Sequence, residues 1–407
     1  MISLNGPLAV TGLGCVSALG LGVPVFWQAV RDGTSGVRPV RLPRDVGGHV
    51  KLAAQVDSDL VAQNLPDRLA AQCDPFAQYA ILAAEEAIVG AKIDRSELAS
   101  PRTAVVIGSG IGGMPTMDDG FADFYSAQRG RMNPLTIPRI MPNAAACAVS
   151  MRAGARGPCF AIATACSSAA QSIALGMLLI RSGLADRALV GGAEASVTPA
   201  SMRYWEVLRV LTGDLARPFS RDRSGMVLGE GAGVVLIERL DLARARGAEI
   251  LALLHGFGTS ADADDLVRPR PEGAAEAMRL ALEDAGLEPK AIDYINAHGT
   301  ATVLNDTAET NAVRLAFGAA ADRLVMSSTK PIHGHALGAA GALELIATIM
   351  ALREQWAPPT INWREADPKC DIDCVANEGR AMPIAYAMSN SFAFGGINAS
   401  LVVGPGD

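Results

Sequence analysis

A cysteine lies inside an uncharged stretch of this sequence. The segment Phe160–Ile180, FAIATACSSAAQSIALGMLLI, contains Cys166 and no charged residue. The apolar residues that follow Cys166 have helical spacing, which places it at a helix start with Ser167 or Ser168 as the predicted cap. Helix-start amides carry partial positive charge, which lowers a thiol's pKa and offers donors to an oxyanion. A reactive nucleophile is therefore possible, although most free cysteines are simply core residues.

Histidines form the second candidate group. The chain has only five, yet His298, His333 and His335 fall within positions 298 to 335. His298 directly follows the predicted strand IDYINA, and open α/β sheets collect their ligands at the carboxyl ends of parallel strands. These imidazoles are candidates for acid, base or hydrogen-bonding chemistry, and a satisfied turn histidine is the alternative interpretation of His298.

A charged pair accompanies the histidines. Glu344 is the only charged residue in an otherwise apolar predicted helix, Ala336–Leu352. A lone buried carboxylate needs a partner, and Lys330 is the nearest candidate in the sequence. We therefore predict that Lys330 and Glu344 pair.

Other short motifs argue against alternative chemistries. Gly108, Gly110 and Gly113 satisfy G-x-G-x-x-G, but no apolar strand ending in an acid follows at the distance that a dinucleotide site requires. The sequence contains no G-x-S-x-G, so a serine-hydrolase elbow is unsupported. The seven cysteines show no zinc-site spacing, which predicts no metal.

Composition and charge indicate the cellular compartment and exclude some classes of partner. The chain has 407 residues and a net charge of −7, which argues against nucleic acid because such binders need a concentrated basic face. The first thirty residues lack a positive leader and predict a buried strand followed by loops. The uncharged segment at 157–180 is too polar to span a membrane. Together with an odd number of cysteines, these features predict a protein of the reducing cytoplasm.

Strand and helix patterns alternate along the chain. Short β-branched runs such as RTAVVIGSG and GVVLIERL separate Ala-rich helical stretches, which predicts an α/β protein with mainly parallel sheets covered by helices. The best division separates residues 1–249 from residues 250–407. Each part contains a strand that feeds a nearly uncharged helix, at 159–182 and at 324–352, which is a faint internal repeat.

Four ordered segments resemble the signatures of the β-ketoacyl-[acyl carrier protein] synthases. They are TACSS, NAHGTAT, SSTKPIHGHALGAAGALE and NSFAFGGIN, at 164–168, 296–302, 327–344 and 390–398. The similarity is greatest to the KAS II (FabF-like) branch and covers nearly the whole chain. It implies the thiolase fold, with duplicated halves, 1–249 carrying the cysteine and 250–407 the histidines, in a five-layered αβαβα sandwich.

The resemblance implies a decarboxylative Claisen condensation. Cys166 would take an acyl chain from the phosphopantetheine arm of its carrier protein. His298 and His335 would bind the thioester carbonyl of malonyl carrier protein and stabilise the enolate formed when carbon dioxide leaves. The product would be a 3-oxoacyl chain for fatty acid or for specialised polyketide or unsaturated acyl synthesis. No cofactor is implied, because thioester and decarboxylation supply the driving force.

Supporting roles follow from the same resemblance. The amides of Cys166 and Phe394 would form an oxyanion hole, and Phe394 would also gate the acyl-binding and malonyl-binding states. Lys330, Glu344 and Asp306 would support the histidines.

The sequence departs from the family in the gate, beside the histidine motif and in the docking surface. Ala393 replaces the usual glycine of the gate, which is expected to stiffen it. His333 is an extra imidazole for which we predict a structural or pocket-lining role. The basic cluster that docks the acidic carrier is thin, and the docking residues that remain are Arg68, Arg129, Arg131 and Arg209.

The predicted acyl pocket contains Ile111, Thr136 and Trp205. Many members have a phenylalanine at position 136 that reaches across the dimer, so the smaller threonine suggests a longer channel. This feature and the segment IPRIMPNAAA resemble the NodE-like enzymes.

Alternative functions remain at this stage. A Cys–His hydrolase built on Cys166 and His298 would leave the second imidazole without a role. KAS III-type enzymes typically have asparagine where His335 stands, and thiolases have a second catalytic cysteine. A chain-length-factor-like subunit usually lacks the nucleophile. We expect a homodimer, or else the catalytic half of a ketosynthase/chain-length-factor heterodimer.

Overall fold

A computed structural model describes residues 6–44, 47–126 and 133–406. Its strands, numbered in chain order, are β1 Leu8–Ser17, β2 Gly20–Leu21, β3 Arg38–Pro39, β4 Leu52–Ala53, β5 Thr103–Gly108, β6 Cys159–Ile162, β7 Arg187–Glu194, β8 Gly231–Arg239, β9 Ala252–Ala261, β10 Tyr294–Asn296, β11 Val325–Ser327, β12 Trp356–Ala357, β13 Arg380–Ala381, β14 Ala387–Ala393 and β15 Ile397–Pro405. Its α-helices are α1 Val23–Asp32, α2 Ser58–Asn64, α3 Asp67–Gln72, α4 Pro75–Gly90, α5 Arg95–Leu98, α6 Met114–Tyr125, α7 Thr136–Ile140, α8 Ala144–Ala153, α9 Ser168–Arg181, α10 Pro199–Val207, α11 Leu240–Ala245, α12 Pro271–Ala285, α13 Val303–Phe317, α14 Lys330–His333 and α15 Ala340–Glu354. No helix in these ranges is long and apolar enough to cross a membrane.

The large sheet consists of two halves that meet at a short ladder. The strand order is β11-β10-β14-β15-β9-β1-β8-β7-β5-β6, with β2 beside β1. β1 and β9 pair only from Leu8 opposite Leu254 to Val10 opposite Ala252. β1 and β5 to β8 form one half, and β9 to β11, β14 and β15 form the other. The proposed boundary between residues 249 and 250 stays a prediction.

Helices lie outside and between the two halves. α4 and α8 pack on the first half and α12 on the second, with α13 against α12. α9 contacts β5 and β7 of the first half and β15 of the second, while α15 contacts β8 and β14. Val234 of β8 belongs to the core on the α4 side and Val235 to the core around the central helices, as alternation along a strand requires. The predicted five-layered αβαβα sandwich of the thiolase fold is confirmed.

The prediction of mainly parallel sheets is wrong for the middle of the sheet. Parallel pairs occur at its two ends, where β10 lies between β11 and β14 and β5 between β6 and β7. The described pairs from β7 through β8, β1, β9 and β15 to β14 are antiparallel. A strand covered on both faces has the same apolar pattern whichever way its neighbour runs. The predicted loops after β1 are also wrong, because α1 begins at Val23.

The internal repeat is visible in the backbone at the start of both central helices. Ala165 has φ +49° and begins the 3-10 turn Ala165–Ser167, which leads into α9. Leu337 has φ +44° and begins the 3-10 turn Leu337–Ala339, which leads into α15. Such left-handed residues other than glycine cost about 1–3 kcal/mol each and persist only where the surroundings hold them. The turn of the first half carries Cys166.

Candidate active site

Cys166 is the middle residue of the turn between β6 and α9 and is only 6% exposed. The turn is held by serine hydroxyls. Ser168 Oγ accepts the Thr164 N–H at 2.9 Å and donates to the Ala165 carbonyl at 2.6 Å. Ser167 Oγ donates to the Thr164 carbonyl at 2.9 Å. Ser167 is the N-cap residue of α9, as predicted, but its hydroxyl makes no cap hydrogen bond. Both serine hydroxyls fix the turn that carries Cys166 instead.

The backbone around His298 is anchored by Glu309, a residue that the sequence analysis missed. The N–H groups of His298 and Gly299 each donate to one Glu309 carboxylate oxygen, both at 2.8 Å. Gly299 has φ +40°, and a Cβ there would lie 2.5 Å from the Cβ of Ser328, so this turn requires glycine. Glu309 therefore sets the direction in which His298 leaves the end of β10.

His335 lies in the segment between α14 and α15. Its backbone N–H donates to the Val227 carbonyl at 2.8 Å. The His298 and His335 ring centroids are 5.4 Å apart with the planes at 82°. The sulfur of Cys166 and a nitrogen of each of these imidazoles all lie within 4.8 Å of one another. The structure thus brings the three predicted reactive side chains within reach of one thioester group.

Lys330 and Glu344 are buried and form an ion pair beside the histidines. Lys330 Nζ also lies 3.4 Å from Nδ1 of His298. An ammonium group has donors only, so Nδ1 has to accept and the His298 proton sits on Nε2. The pair therefore leaves His298 with an Nε2–H donor.

Burial controls the protonation of the reactive groups. It raises the pKa of the Cys166 thiol to about 12, against the opposing charge of Lys330 and with a further increase from Glu194. Burial, reinforced by Lys330, lowers the pKa of both His298 and His335 well below the usual range. The predicted lowering of the thiol pKa is wrong, because loss of hydration outweighs the helix-start amides. Thiol and imidazoles are uncharged at neutral pH.

Asp306 holds the loop after His298 rather than an imidazole. Its carboxylate accepts the N–H groups of Phe219 at 2.8 Å and Ala301 at 3.2 Å. Arg223 Nε lies 3.8 Å away. Burial raises the pKa of Asp306 to about 6, while these hydrogen bonds and Arg223 lower it.

Glu194 is a second residue that the sequence analysis missed. It ends β7, and its Oε2 accepts the N–H groups of Gly110 at 2.7 Å and Gly338 at 3.0 Å. Ser196 Oγ donates to Oε1 at 3.0 Å. Gly338 belongs to the turn before α15, which packs against the turn of Cys166. Glu194 therefore ties the two halves together next to Cys166, and its only sequence signal is an acid at the end of an apolar strand.

A cavity of about 230 Å³ reaches these groups from the surface. Cys166, His298 and His335 line its buried end, and Arg209 and Phe394 also line it. Its walls combine buried reactive atoms with exposed residues, so a molecule on the surface can extend an arm to the sulfur.

The predicted gate and part of the predicted acyl pocket meet beside Cys166. The rings of Phe394 and Trp205 stack with centroids 5.9 Å apart and planes at 20°. Ile111 and Trp205 pack against the apolar cluster that contains Cys166. The turn after Phe394 depends on Gly395 and Gly396, which have φ +82° and +66°.

Other predicted residues lie elsewhere. Thr136 begins α7 and is not among the residues of the Cys166 cavity in the described ranges. Arg68 lines a separate groove beside α3 and α8, whereas Arg209 lines the Cys166 cavity. Arg129 and Arg131 lie outside the described residues.

His333 is buried away from the reactive groups. Its Nε2 lies 3.0 Å from Thr329 Oγ1, and its ring centroid is 5.8 Å from that of Phe26. Burial, with the charge of Lys330, lowers its pKa to about 3. These contacts favour a structural role for His333 over a pocket-lining role.

One thiol and two imidazoles at this spacing could also hold a metal ion. The Lys330 ammonium, 3.4 Å from His298, would then lie beside the metal cation. The high pKa of Cys166 also opposes the thiolate that a metal binds. The surroundings therefore suit an uncharged thioester better than a metal.

Comparison with known families identifies the chain. Residues 5–243 match the family described as Beta-ketoacyl synthase, N-terminal domain, and residues 251–364 match Beta-ketoacyl synthase, C-terminal domain. This chain belongs to the β-ketoacyl synthase family.

Relatives of this β-ketoacyl synthase match over nearly its full length. It is 41% identical over 400 residues to Nodulation protein E of Rhizobium sp. (strain N33), covering 97% of this chain and 98% of that protein. It is 39% identical over 408 residues to 3-oxoacyl-[acyl-carrier-protein] synthase 2 of Staphylococcus aureus (strain COL), covering 98% and 99%. The solved structure titled the ishigamide ketosynthase/chain length factor has a TM-score of 0.94 at 33% identity, covering 99% and 100%. The resemblance to the KAS II and NodE-like enzymes is confirmed.

In this β-ketoacyl synthase, breaking the Lys330–Glu344 pair should cost more stability than removing it. Glu344→Ala leaves a buried ammonium without its partner and should lower the free energy of unfolding by about 3–5 kcal/mol. The double variant Lys330→Met/Glu344→Leu leaves no buried charge and should recover most of that loss. Urea unfolding measures both. A Glu344→Ala variant as stable as the wild type would contradict the pairing.

Proposed function

We propose that this chain is a 3-oxoacyl-[acyl-carrier-protein] synthase, which condenses a Cys166-bound acyl group with malonyl carrier protein. The proposal depends on the meeting of Cys166, His298 and His335 at the buried end of one cavity. One sulfur can hold an acyl group while two imidazoles bind the oxygen of a second thioester, as joining two substrates requires. The Staphylococcus aureus relative bears the name of this enzyme class.

In the first step, Cys166 takes an acyl group from a carrier-bound thioester. Burial keeps the thiol protonated at neutral pH, so its proton leaves as the sulfur attacks. His298 already carries its proton on Nε2, so a ring nitrogen of neutral His335 accepts the proton. The acyl carbon bonds to the Cys166 sulfur, its bond to the pantetheine sulfur breaks, and the proton passes to the departing thiol. The amides of Cys166 and Phe394 would bind the transient oxyanion.

In the second step, the carbonyl oxygen of malonyl carrier protein binds between His298 and His335. The bond to the carboxylate carbon breaks, carbon dioxide leaves, and the electron pair remains in an enolate held by imidazole N–H donors. A neutral imidazole is a weaker acid than an imidazolium, so the carbanion survives long enough to attack the acyl carbon on Cys166. The new carbon–carbon bond forms, the bond to Cys166 breaks, and the released thiolate takes up one proton from solvent. Decarboxylation drives the reaction, and no cofactor enters it.

The surrounding residues have positioning roles in this scheme. Lys330, paired with Glu344, fixes the His298 tautomer, and Asp306 holds the loop after His298. Phe394 lines the cavity and stacks on Trp205, which with Ile111 packs against the apolar cluster where the acyl chain would lie.

A second subunit and a carrier protein complete the proposed enzyme. β6 is the last strand of the sheet order, and Phe160 on it is exposed, which favours extension of the sheet by a partner subunit. A homodimer is our first choice, with Thr136 near the partner. A heterodimer is the alternative, because the ishigamide structure is titled a ketosynthase/chain length factor. The seven free cysteines of this chain favour the reducing cytoplasm.

A Cys–His hydrolase is less well supported. Such an enzyme needs a carboxylate or amide that orients its histidine and stabilises the imidazolium. Nδ1 of His298 faces the Lys330 ammonium instead, which opposes protonation.

Acylation followed by condensation tests the proposal. We expect incubation of the purified protein with a panel of acyl carrier proteins of different chain length to place one acyl group on Cys166, as measured by intact mass and peptide mapping. Malonyl carrier protein should then yield a 3-oxoacyl product two carbons longer. An adduct that hydrolyses without chain extension would overturn the synthase assignment in favour of a hydrolase. The preferred acyl length separates a fatty acid enzyme from a specialised one.

A further inference from the structure

Two thiols from neighbouring elements meet at the edge of the large sheet. Cys147 lies in α8, and Cys159 is the first residue of the edge strand β6, against which α8 packs. The two thiols are in hydrogen-bonding contact, and Ser150 of α8 also contacts the Cys159 thiol. In the described ranges, neither cysteine lines the Cys166 cavity. The proposed reaction therefore leaves both thiols without a role.

Solvent reaches both of these thiols. Cys159 is exposed and Cys147 is partly exposed. Cys147 also lines the groove beside α3 and α8, which has a volume of about 530 Å³. The Asn143 side-chain amide donates to Cys147 Sγ at 3.6 Å. A small oxidant can therefore approach Cys147 through the groove, whereas Cys166 is only 6% exposed.

The backbone around the two thiols is held on both sides. Cys159 lies opposite Val105 in the ladder between β5 and β6, and the Val105 N–H donates to the Pro158 carbonyl at 2.9 Å. At the end of α8, the Ala155 N–H donates to the Ser150 carbonyl at 3.0 Å. A disulfide forms without backbone movement only where two side chains already face each other. The contact between Cys147 and Cys159 meets this requirement.

We propose that Cys147 and Cys159 form a reversible redox site, which closes to an intrachain disulfide when a peroxide oxidises it. The Cys147 sulfur attacks a peroxide oxygen and the O–O bond breaks. With hydrogen peroxide, this step gives a sulfenic acid on Cys147 and one water. The Cys159 sulfur then attacks Cys147, the S–O bond breaks, and the S–S bond forms. The thiol proton leaves with the hydroxyl as a second water, so the thiols lose two electrons and the peroxide gains two.

The surroundings of the two thiols assign the order of these steps. Partial burial, with a further increase from Cys147, raises the pKa of the Cys159 thiol to about 11. A thiol reacts with peroxide as its thiolate, so Cys159 is the slower of the two and takes the second step. A disulfide of this kind is transient in a reducing cytoplasm and forms when oxidant is present. The site goes beyond the proposed synthase function and does not depend on it.

Peroxide treatment of the full-length Cys166→Ala variant tests the site. This background removes Cys166, so oxidation there does not interfere. After treatment with hydrogen peroxide, the intact mass should fall by the mass of two hydrogen atoms. Alkylation in denaturant should then find Cys147 and Cys159 blocked. Arg152 and Arg156 lie between the two cysteines, so trypsin should release them as two peptides joined by one disulfide. Dithiothreitol should separate the peptides and restore both alkylation sites.

Single substitutions identify the pair. Cys147→Ser should abolish the linked peptides. Cys73→Ser is the matched control, because Cys73 is also partly exposed and lines the same groove. The Cys73→Ser variant should still give the linked peptides.

The alternative outcomes would each overturn the inference. Cys147 and Cys159 that both remain open to alkylation after excess peroxide do not form the disulfide. A sulfinic acid on Cys147 without linked peptides would mean that Cys159 does not take the second step. A bond between the Cys159 residues of two chains, which a non-reducing gel detects as a dimer, would replace the intrachain bond by an interchain one. These measurements are masses of the oxidised chain, so they separate failure of this inference from failure of the proposed condensation.

Discussion

Replacing Cys166 by alanine should abolish condensation while malonyl decarboxylation continues. The variant has no sulfur to hold the acyl group, so formation of 3-oxoacyl product should fall by at least about a thousandfold. The backbone anchors of His298 and His335, on Glu309 and Val227, do not involve Cys166. Carbon dioxide release from malonyl carrier protein should therefore persist. Product mass and released carbon dioxide measure the two steps separately.

A buried cysteine of the second half provides the control. Cys374 is 8% exposed, close to the 6% of Cys166, but it packs in a different core cluster. Cys374→Ala should keep both steps. Condensation by Cys166→Ala at the wild-type rate would remove Cys166 from the mechanism. Loss of decarboxylation along with condensation would contradict the separate roles of sulfur and imidazoles.

The sequence could locate the candidate site residues because each follows a recognisable element. Cys166 and His298 come after β6 and β10, and parallel strand ends gather side chains at one edge. The single charge in the predicted helix Ala336–Leu352 correctly predicted the Lys330–Glu344 pair. Spacing and charge patterns are local, so they can be recognised without knowing which residues are neighbours in the folded chain.

The protonation of Cys166 could not be predicted from local pattern. A helix start favours a thiolate, but complete burial and the nearby Glu194 favour the thiol, and only the folded chain reveals which effect is larger. Glu194 itself sits 28 positions after Cys166 (194 − 166), and its hydrogen bonds reach Gly110 and Gly338. No sequence window contains all of these partners.

The glycine motif after β5 has a packing explanation that only the structure provides. A Cβ at Gly108 would lie 2.5 Å from the backbone of Ser168, at the start of α9. A Cβ at Gly110 would lie 2.9 Å from a Glu194 oxygen. Gly108 and Gly110 therefore let the strand approach the turn that carries Cys166 and the Glu194 carboxylate, so packing explains these two glycines of the motif without a dinucleotide.

Removing either imidazole should slow decarboxylation strongly. His298→Ala and His335→Ala each delete one donor to the enolate oxygen, and loss of one such donor typically costs about 10²–10³-fold in rate. The measurement is carbon dioxide release from malonyl carrier protein in the Cys166→Ala background, where acyl transfer does not interfere. His255→Ala is the control, because His255 packs on Tyr386 with centroids 5.2 Å apart and does not line the Cys166 cavity. A variant that decarboxylates at full rate would exclude its histidine from this role.

The pH dependence of decarboxylation tests whether His298 and His335 act as neutral imidazoles. Burial and Lys330 lower the pKa of His298 and His335, so their neutral forms are lost only when the pH falls below those lowered values. Decarboxylation should therefore stay flat between about pH 6 and pH 8, across the ordinary histidine pKa of about 6.5. A rate that changes by half near that ordinary value would mean that a protonated imidazole forms during turnover. The buried, cation-flanked site would then not be what keeps the enolate from being protonated.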